Sequence, residues 1–386
     1  MHLLMFSETY RIKDSYAGME DMIPIHLTYI HPDASEIIAK VLSSTFISEG
    51  EVVKSFEGQL EEQLRLRYCV TVNSGTAALH LALSLAGVSE GDEVILPAQT
   101  FVATGLVILQ QRARPVFADI DYATGNIDVA SIRKKITRKT KAIMPVHWGG
   151  YPCDMDEINA IAREHQLVVI EDAAHALGAT YKNSPVGNLS DYTCFSFQAI
   201  KHLTTGDGGA VCTKPDKYRQ AMARRWFGID RINSTMSELG ERTYNLDELG
   251  YKYHLNNYAA ALGIANLRNL KARLAQRREV AKYYRSELDG LEGLKLFNNK
   301  ADRESSYWLF GIHVQQRNNF VRSLKARGVT ASVVHQRIDR NAIFGGTNRD
   351  LVQQEEFDQT QIHIPIHDDI NLDKAKYIID AIKQGW

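Results

Sequence analysis

Between Tyr68 and Thr213 short apolar runs alternate with stretches of helical periodicity, and this alternation limits what the chain can fold into. The runs are Tyr68 to Val72, Glu93 to Leu96, Arg114 to Ala118, Lys141 to Val146, Leu167 to Ile170, Tyr192 to Phe197 and Gly209 to Thr213. Several are apolar at consecutive positions, as expected of strands covered on both faces. The stretches between them, including Thr76 to Ala86, Phe101 to Gln110, Asp128 to Lys135 and Met155 to His165, supply crossovers. An α/β layer around a mainly parallel sheet is therefore expected.

After Thr213 the pattern changes. A charged helical region from Lys217 to Arg225 leads to a polar stretch, and a long helix-like run follows from Asn257 to about Leu288. Strand-like pieces at Tyr307 to Val314 and Val329 to Val334 then alternate with helix-like pieces at Asn318 to Arg327 and Leu372 to Lys383, which suits a compact α+β domain. The chain of 386 residues exceeds the ~250–300 at which one core stops growing. The expected organisation is an N-terminal extension over 1–23, a large domain over 24–255, and a connecting helix with a small domain over 256–386.

Lys plus Arg (45) nearly balances Asp plus Glu (46), so no net field of one sign draws in nucleic acid or an anionic membrane. A specific pocket must hold any anionic ligand. Cys69, Cys153, Cys194 and Cys212 form no CxxC pair and read as buried thiols in a reducing compartment, with no metal site expected. The opening run Met1 to Phe6 is too short for a membrane span and lacks a cleavage site. The expectation is a cytoplasmic protein.

Lys201 lies just past the run Tyr192 to Phe197, ahead of the glycine-containing turn Gly206-Asp207-Gly208-Gly209. In open α/β sheets ligands gather at the carboxyl ends of strands, so Lys201 is expected to project into a cleft. Partial desolvation makes such a lysine a nucleophile, because its neutral amine becomes more populated. Asp172 closes the run Leu167 to Ile170, and His175 follows three residues later. A lysine and a carboxylate aimed at one cleft suit pyridoxal 5'-phosphate (PLP), which needs an amine to carry it and an acid to hold a proton on its ring nitrogen. The segment Asn73-Ser74-Gly75-Thr76 joins a strand to a helix, where small residues and the positive helix end receive a phosphate. It is neither GxGxxG nor GxxxxGK[ST], which argues against a dinucleotide or nucleoside-triphosphate fold.

With Phe46-Ile47-Ser48-Glu49-Gly50, Pro97 to Thr104, Gly250-Tyr251-Lys252-Tyr253 and Ile364-Pro365-Ile366-His367, these segments occur in an order that resembles the DegT/DnrJ/EryC1/StrS family of PLP-dependent sugar aminotransferases. The resemblance covers most of the chain. It implies the fold type I of PLP-dependent transferases: a three-layer α/β/α large domain with a mainly parallel mixed sheet, and a smaller C-terminal α+β domain. It further implies that Lys201 carries the cofactor as a Schiff base, that Asp172 pairs with the pyridinium nitrogen, that His175 contacts the 3-oxygen and that Phe101 stacks on the ring. Gly75, Thr76 and Ser196 would hold the phosphate.

Two departures from the family pattern stand out. Lys252 replaces an Asn that reaches a neighbour's cofactor phosphate, and His147-Trp148-Gly149-Gly150-Tyr151-Pro152 replaces a loop more often apolar or tyrosine-containing. The first keeps a positive point charge for the phosphate. The second is expected to bear on substrate shape.

The implied reaction is a two-stage transamination from glutamate to a keto sugar, with pyridoxamine 5'-phosphate formed during turnover. It would serve surface-glycan synthesis, such as lipopolysaccharide, or deoxyamino-sugar synthesis. The resemblance also implies a homodimer with shared sites, in which Lys252 and Asn256 serve the partner. His335 and Arg337 are candidate substrate contacts, Arg337 as a partner for a phosphate or carboxylate. The alternatives are a catalytically silent or regulatory PLP-binding homologue and a PLP-dependent sugar dehydratase; Lys201 disfavours the latter, which has His at that position.

Overall fold

The computed structural model describes residues 22–231 and 233–386. Seven strands, β1 (Cys69–Val72), β2 (Glu93–Pro97), β3 (Arg114–Ala118), β4 (Thr140–Ile143), β5 (Val168–Asp172), β6 (Tyr192–Ser196) and β7 (Gly209–Cys212), form one sheet. Their order is β1-β7-β6-β5-β4-β2-β3. Strands β3, β2, β4, β5 and β6 run parallel, while β7 is antiparallel to both β6 and β1. It follows that β1 points the same way as β6, and that the carboxyl ends of β1, β2, β5 and β6 share one edge.

Successive residues along the strands enter different cores, as burial on both faces requires. Val94 and Leu96 pack with α3 (Gly75–Leu85) and α4 (Val102–Gln110), whereas Ile95 between them packs with α6 (Met155–His165) on the other face. Cys69 and Cys212 join Phe56 and Leu60 of α2 (Glu51–Leu64) and Ala259 and Ala260 of α8 (Asn257–Leu267). The result is the expected α/β/α sandwich. Caps fix where helices begin: Ser74 accepts from the Ala77 N–H, and Asn256 from the Ala259 N–H at 2.8 Å.

The run from Asn257 to Leu288 is divided in two, contrary to the single long helix expected. Helix α8 ends at Leu267 and packs on α1 (Ala34–Ser43) and α2, whereas α9 (Leu270–Leu288) packs on α12 (Leu372–Lys383) of a second core. The axis breaks at Arg268–Asn269; Leu270 and Leu274 of α9 still pack in the core that holds α8, and Val280, Ala281, Tyr284 and Leu288 carry the helix on into the second. The second core encloses a three-stranded antiparallel sheet of β8 (Leu294–Leu296), β9 (Phe310–Val314) and β10 (Gln361–Ile364).

Strand β9 begins three residues later than the sequence suggests, because Tyr307 has a left-handed backbone with φ of 50°. No regular strand forms over Val329 to Val334; Val329 bridges Ile23, Ser332 bridges His363, and Val334 turns left-handed at φ 59°. Of the expected N-terminal extension, residues 1–21 lie outside the described residues. Contacts also cross the boundary expected at 256: the Ile338 N–H donates to Ala98 O, and the Gln354 N–H to Asp119.

Arg225 is fully buried and ties β1 to the segments before and after it, bonding Glu57 at 2.5 Å, Glu49 at 2.7 Å and Thr71 O at 2.8 Å. Losing Glu57 would leave Arg225 with Glu49 as its one carboxylate partner among the described residues and take the acceptor from the Thr71 N–H and hydroxyl. Glu57→Ala is expected to cost about 3–5 kcal/mol, read as a lowered urea midpoint; an unchanged midpoint would refute the pair's role.

Candidate active site

The four strand ends at the shared edge deliver side chains to one cavity of about 340 Å³, within the roughly 300–1,000 Å³ typical of small-molecule sites. Asp172 is the last residue of β5 and Ser196 the last of β6. Lys201 follows in the loop after β6, while Ser74, Gly75 and Thr76 open α3 after β1. Phe101 caps α4 after β2. All of these line the cavity, together with His175 and His335.

Lys201 meets the cavity, and burial lowers its pKa to about 7, with Asp172 opposing the shift. Asp172 is buried, and that burial raises its pKa; a hydrogen bond from Thr104 Oγ1 to its Oδ2 at 2.8 Å opposes the rise, as does one from the Ala174 N–H to Oδ1 at 3.1 Å. Thr104 is held in turn by Thr100, 2.7 Å away. Burial and nearby Lys201 lower the pKa of His175, whose Nδ1 is buried without a hydrogen-bond partner. Burial and Lys201 likewise lower His335, to about 4.

Beside these groups is a cradle shaped for a small anion. A Cβ added to Gly75 would meet Ser196 Cβ at 2.8 Å, and one added to Gly209 would meet Ser74 O at 2.6 Å. Two backbones and a serine hydroxyl thus crowd the start of α3, where the first N–H groups of a helix have no intrahelical acceptor. An unpaired imidazole nitrogen, a carboxylate, an amine and an anion cradle in one cavity fit PLP.

Lys252 is exposed and lies outside its own chain's cavity; its carbonyl accepts from Asn73 Nδ2 at 3.4 Å. Asn256 spends its side-chain oxygen on the α8 cap. Arg337 requires a correction. The residue is 1 % exposed and lies outside the cavity lining, and four of its five guanidinium N–H groups bond Asp339 twice at 2.7 Å, Glu355 at 2.9 Å and Asn348 O at 3.0 Å, so it belongs to an internal ion pair and is not a substrate contact.

Thr104 was given no role from sequence. Its signal was its place three residues after Phe101, on the same side of the first turn of α4. Trp308, whose ring lies 3.8 Å from that of His175, gave no signal, because its neighbours are contributed by distant segments.

The DegT/DnrJ/EryC1/StrS aminotransferase family matches residues 29–383. A GDP-perosamine synthase of Escherichia coli O157:H7 is 38% identical over 293 residues, covering 75% of this chain and 77% of that protein. The crystal structure of the sugar aminotransferase CalS13 from Micromonospora echinospora is 34% identical, with a TM-score of 0.90 over 95% of this chain and 100% of that one. Spr1654 from Streptococcus pneumoniae, solved in PLP and PMP forms, is 28% identical, with a TM-score of 0.86 over 94% of this chain and 98% of that one.

In the protein freed of cofactor, the Lys201 amine stays protonated below about pH 7 and is neutral above it. Pulse acetylation followed by peptide mass spectrometry should show its modification rate reaching half its maximum near that pH. A rate still rising at pH 10, as for an ordinary lysine, would contradict the buried environment.

Proposed function

This chain belongs to the DegT/DnrJ/EryC1/StrS aminotransferase family, and from that premise we propose which of its residues carry the reaction and which substrates it takes. It is a PLP-dependent sugar aminotransferase, acting on a keto sugar and an amino donor. The assignment of residues rests on one observation: an amine and a carboxylate from neighbouring strand ends line the same cavity as a glycine-lined helix start.

When bound, PLP supplies an electron sink for the pair released as the donor's α-C–H bond breaks. Lys201 would carry the cofactor through Nζ, and its free amine would take the donor's α-proton and return a proton on the other side of the reaction. A proton affinity poised near neutral pH suits both directions. Asp172 would hold a proton on the ring nitrogen, and Thr104 fixes the carboxylate for that task. His175 would meet the cofactor's 3-oxygen, Phe101 would cover its ring, and Gly75, Thr76 and Ser196 would hold its phosphate. His335 faces the substrate.

The donor is glutamate, as the family resemblance suggests, and the acceptor is a nucleotide-linked keto sugar, a reading supported by the Escherichia coli relative's name. The enzyme works as a homodimer in the cytoplasm. Exposed Phe46, Met236, Leu239 and Leu249 support an apolar interface, through which Lys252 serves the partner's phosphate as a point charge. Among the described residues no helix is long and apolar enough to cross a membrane.

Borohydride treatment of the holoprotein is expected to fix the cofactor to the peptide containing Lys201, and glutamate to convert the cofactor to its amine form. Attachment at another lysine would end the assignment; absence of glutamate-dependent conversion would favour a silent homologue. Asp172→Asn should retain cofactor and slow turnover about 10²–10³-fold, the cost of losing one electrostatic stabiliser. An unchanged rate would remove its role.

A further inference from the structure

Behind the residues that line the cavity lies a segment from the C-terminal part of the chain. The segment Ser305-Ser306-Tyr307-Trp308-Leu309 leads into β9, and its Ser306 and Trp308 side chains reach the loops that carry His175 and Lys201. Ser306 Oγ donates to His175 O at 2.9 Å, and Ser306 O lies 2.9 Å from His202 Nε2. Trp308 Nε1 donates to Ile200 O at 2.9 Å. The residues on either side of Lys201 are therefore both bonded to this one segment.

The indole reaches further than its hydrogen bond. The Lys201 Nζ lies 3.6 Å from the Trp308 ring centroid, a cation–π distance, and the His175 imidazole stacks on Trp308 at 3.8 Å with 17° between planes. His26, from the N-terminal stretch that bridges Val329, stacks on the same indole at 4.9 Å. Trp308 is 1 % exposed, so its orientation is fixed by packing. The segment is also seated closely on the large domain. The Ser306 and Leu309 N–H groups donate to Gly150 O and Gly149 O at 3.1 Å, and a Cβ added to Gly150 would meet Ser306 Oγ at 2.6 Å and His175 O at 2.7 Å.

We propose that Trp308 is a positioning residue of the transamination, a rigid plate that sets the Lys201 amine and the His175 ring relative to each other, with Ser306 locking the loop of His175. This rests on the assignment of Lys201 as cofactor carrier. A flexible lysine has four side-chain torsions to fix, and proton transfer at a carbon requires its amine within near-attack range. An indole anchored to the carbonyl just before the lysine supplies that restraint from outside the large domain. The brace also makes the amine's position depend on how the small core is seated.

The test uses holoenzyme variants with three readouts: borohydride attachment, visible circular dichroism per bound cofactor, and kcat and KM for glutamate. Trp308→Leu should still fix cofactor on Lys201 but lose most of the visible dichroism, because the chromophore is no longer held in one orientation. Its kcat should fall about 100-fold, as for a misplacement of about 1 Å, with KM little changed. Trp308→Phe, which keeps a ring but loses the hydrogen bond, should recover part of both signals. Ser306→Ala should lower kcat by a smaller factor in the same direction.

Wild-type dichroism and kcat in cofactor-loaded Trp308→Leu would overturn the proposal. So would losses that only follow a lowered melting temperature or cofactor content, with Trp308→Phe no better, since those mark packing alone. Should Trp308→Leu fail to fold, unchanged dichroism and kcat in both Trp308→Phe and Ser306→Ala would overturn it equally. Failure of wild-type attachment at Lys201 is a separate outcome: it would sink the carrier assignment and this proposal with it.

Discussion

Burial of the Lys201 amine beside the Asp172 carboxylate is the interaction on which the rest of the site depends. Burial disfavours the charged form of each group, pulling the lysine's pKa down and pushing the aspartate's up, while their mutual attraction opposes both shifts. The hydrogen bonds from Thr104 and the Ala174 N–H to Asp172 work in the same direction as that attraction. On the proposed assignment, a protonated ring nitrogen gives Asp172 the positive partner that a single amine satisfies only in part. The cavity is thus set to hold a cation against the carboxylate while keeping the amine ready to lose its proton.

The sheet makes this convergence possible. Parallel β5 and β6 are adjacent, so their ends release Asp172 and Lys201 at one edge, and antiparallel β7 between β6 and β1 returns the start of α3 to the same place. Gly75 and Gly209 matter because two backbones approach there more closely than a side chain permits. The segment leading into β9 braces the site from behind through Ser306 and Trp308. No single layer of the molecule contains the whole site.

Much of this was legible in the chain. The runs of consecutive apolar residues identified a sheet buried on both faces, and Asp172 could be placed at a strand end because it closes such a run. What the chain hid depended on distant segments. Arg337 looked available for an anion, but Asp339, Glu355 and Asn348 O take up its donors, and two of these lie eleven and eighteen residues away in sequence. The break in the Asn257 to Leu288 run was hidden because both halves are good helix, and no glycine or proline marks Arg268–Asn269. Left-handed Tyr307 and Val334 shorten the expected strands of the small domain, and neither residue type announces that conformation.

The central claim is that the Asp172 carboxylate and the Lys201 amine serve opposite ends of one heteroaromatic ring. Nitrogen-15 NMR of holoenzyme loaded with PLP labelled at the ring nitrogen tests it directly. The account predicts the shift of a protonated pyridinium that persists well above the pH at which free cofactor loses that proton, and its loss in Asp172→Asn. An unprotonated pyridine shift in the wild type, or a protonated one untouched by the substitution, would contradict it.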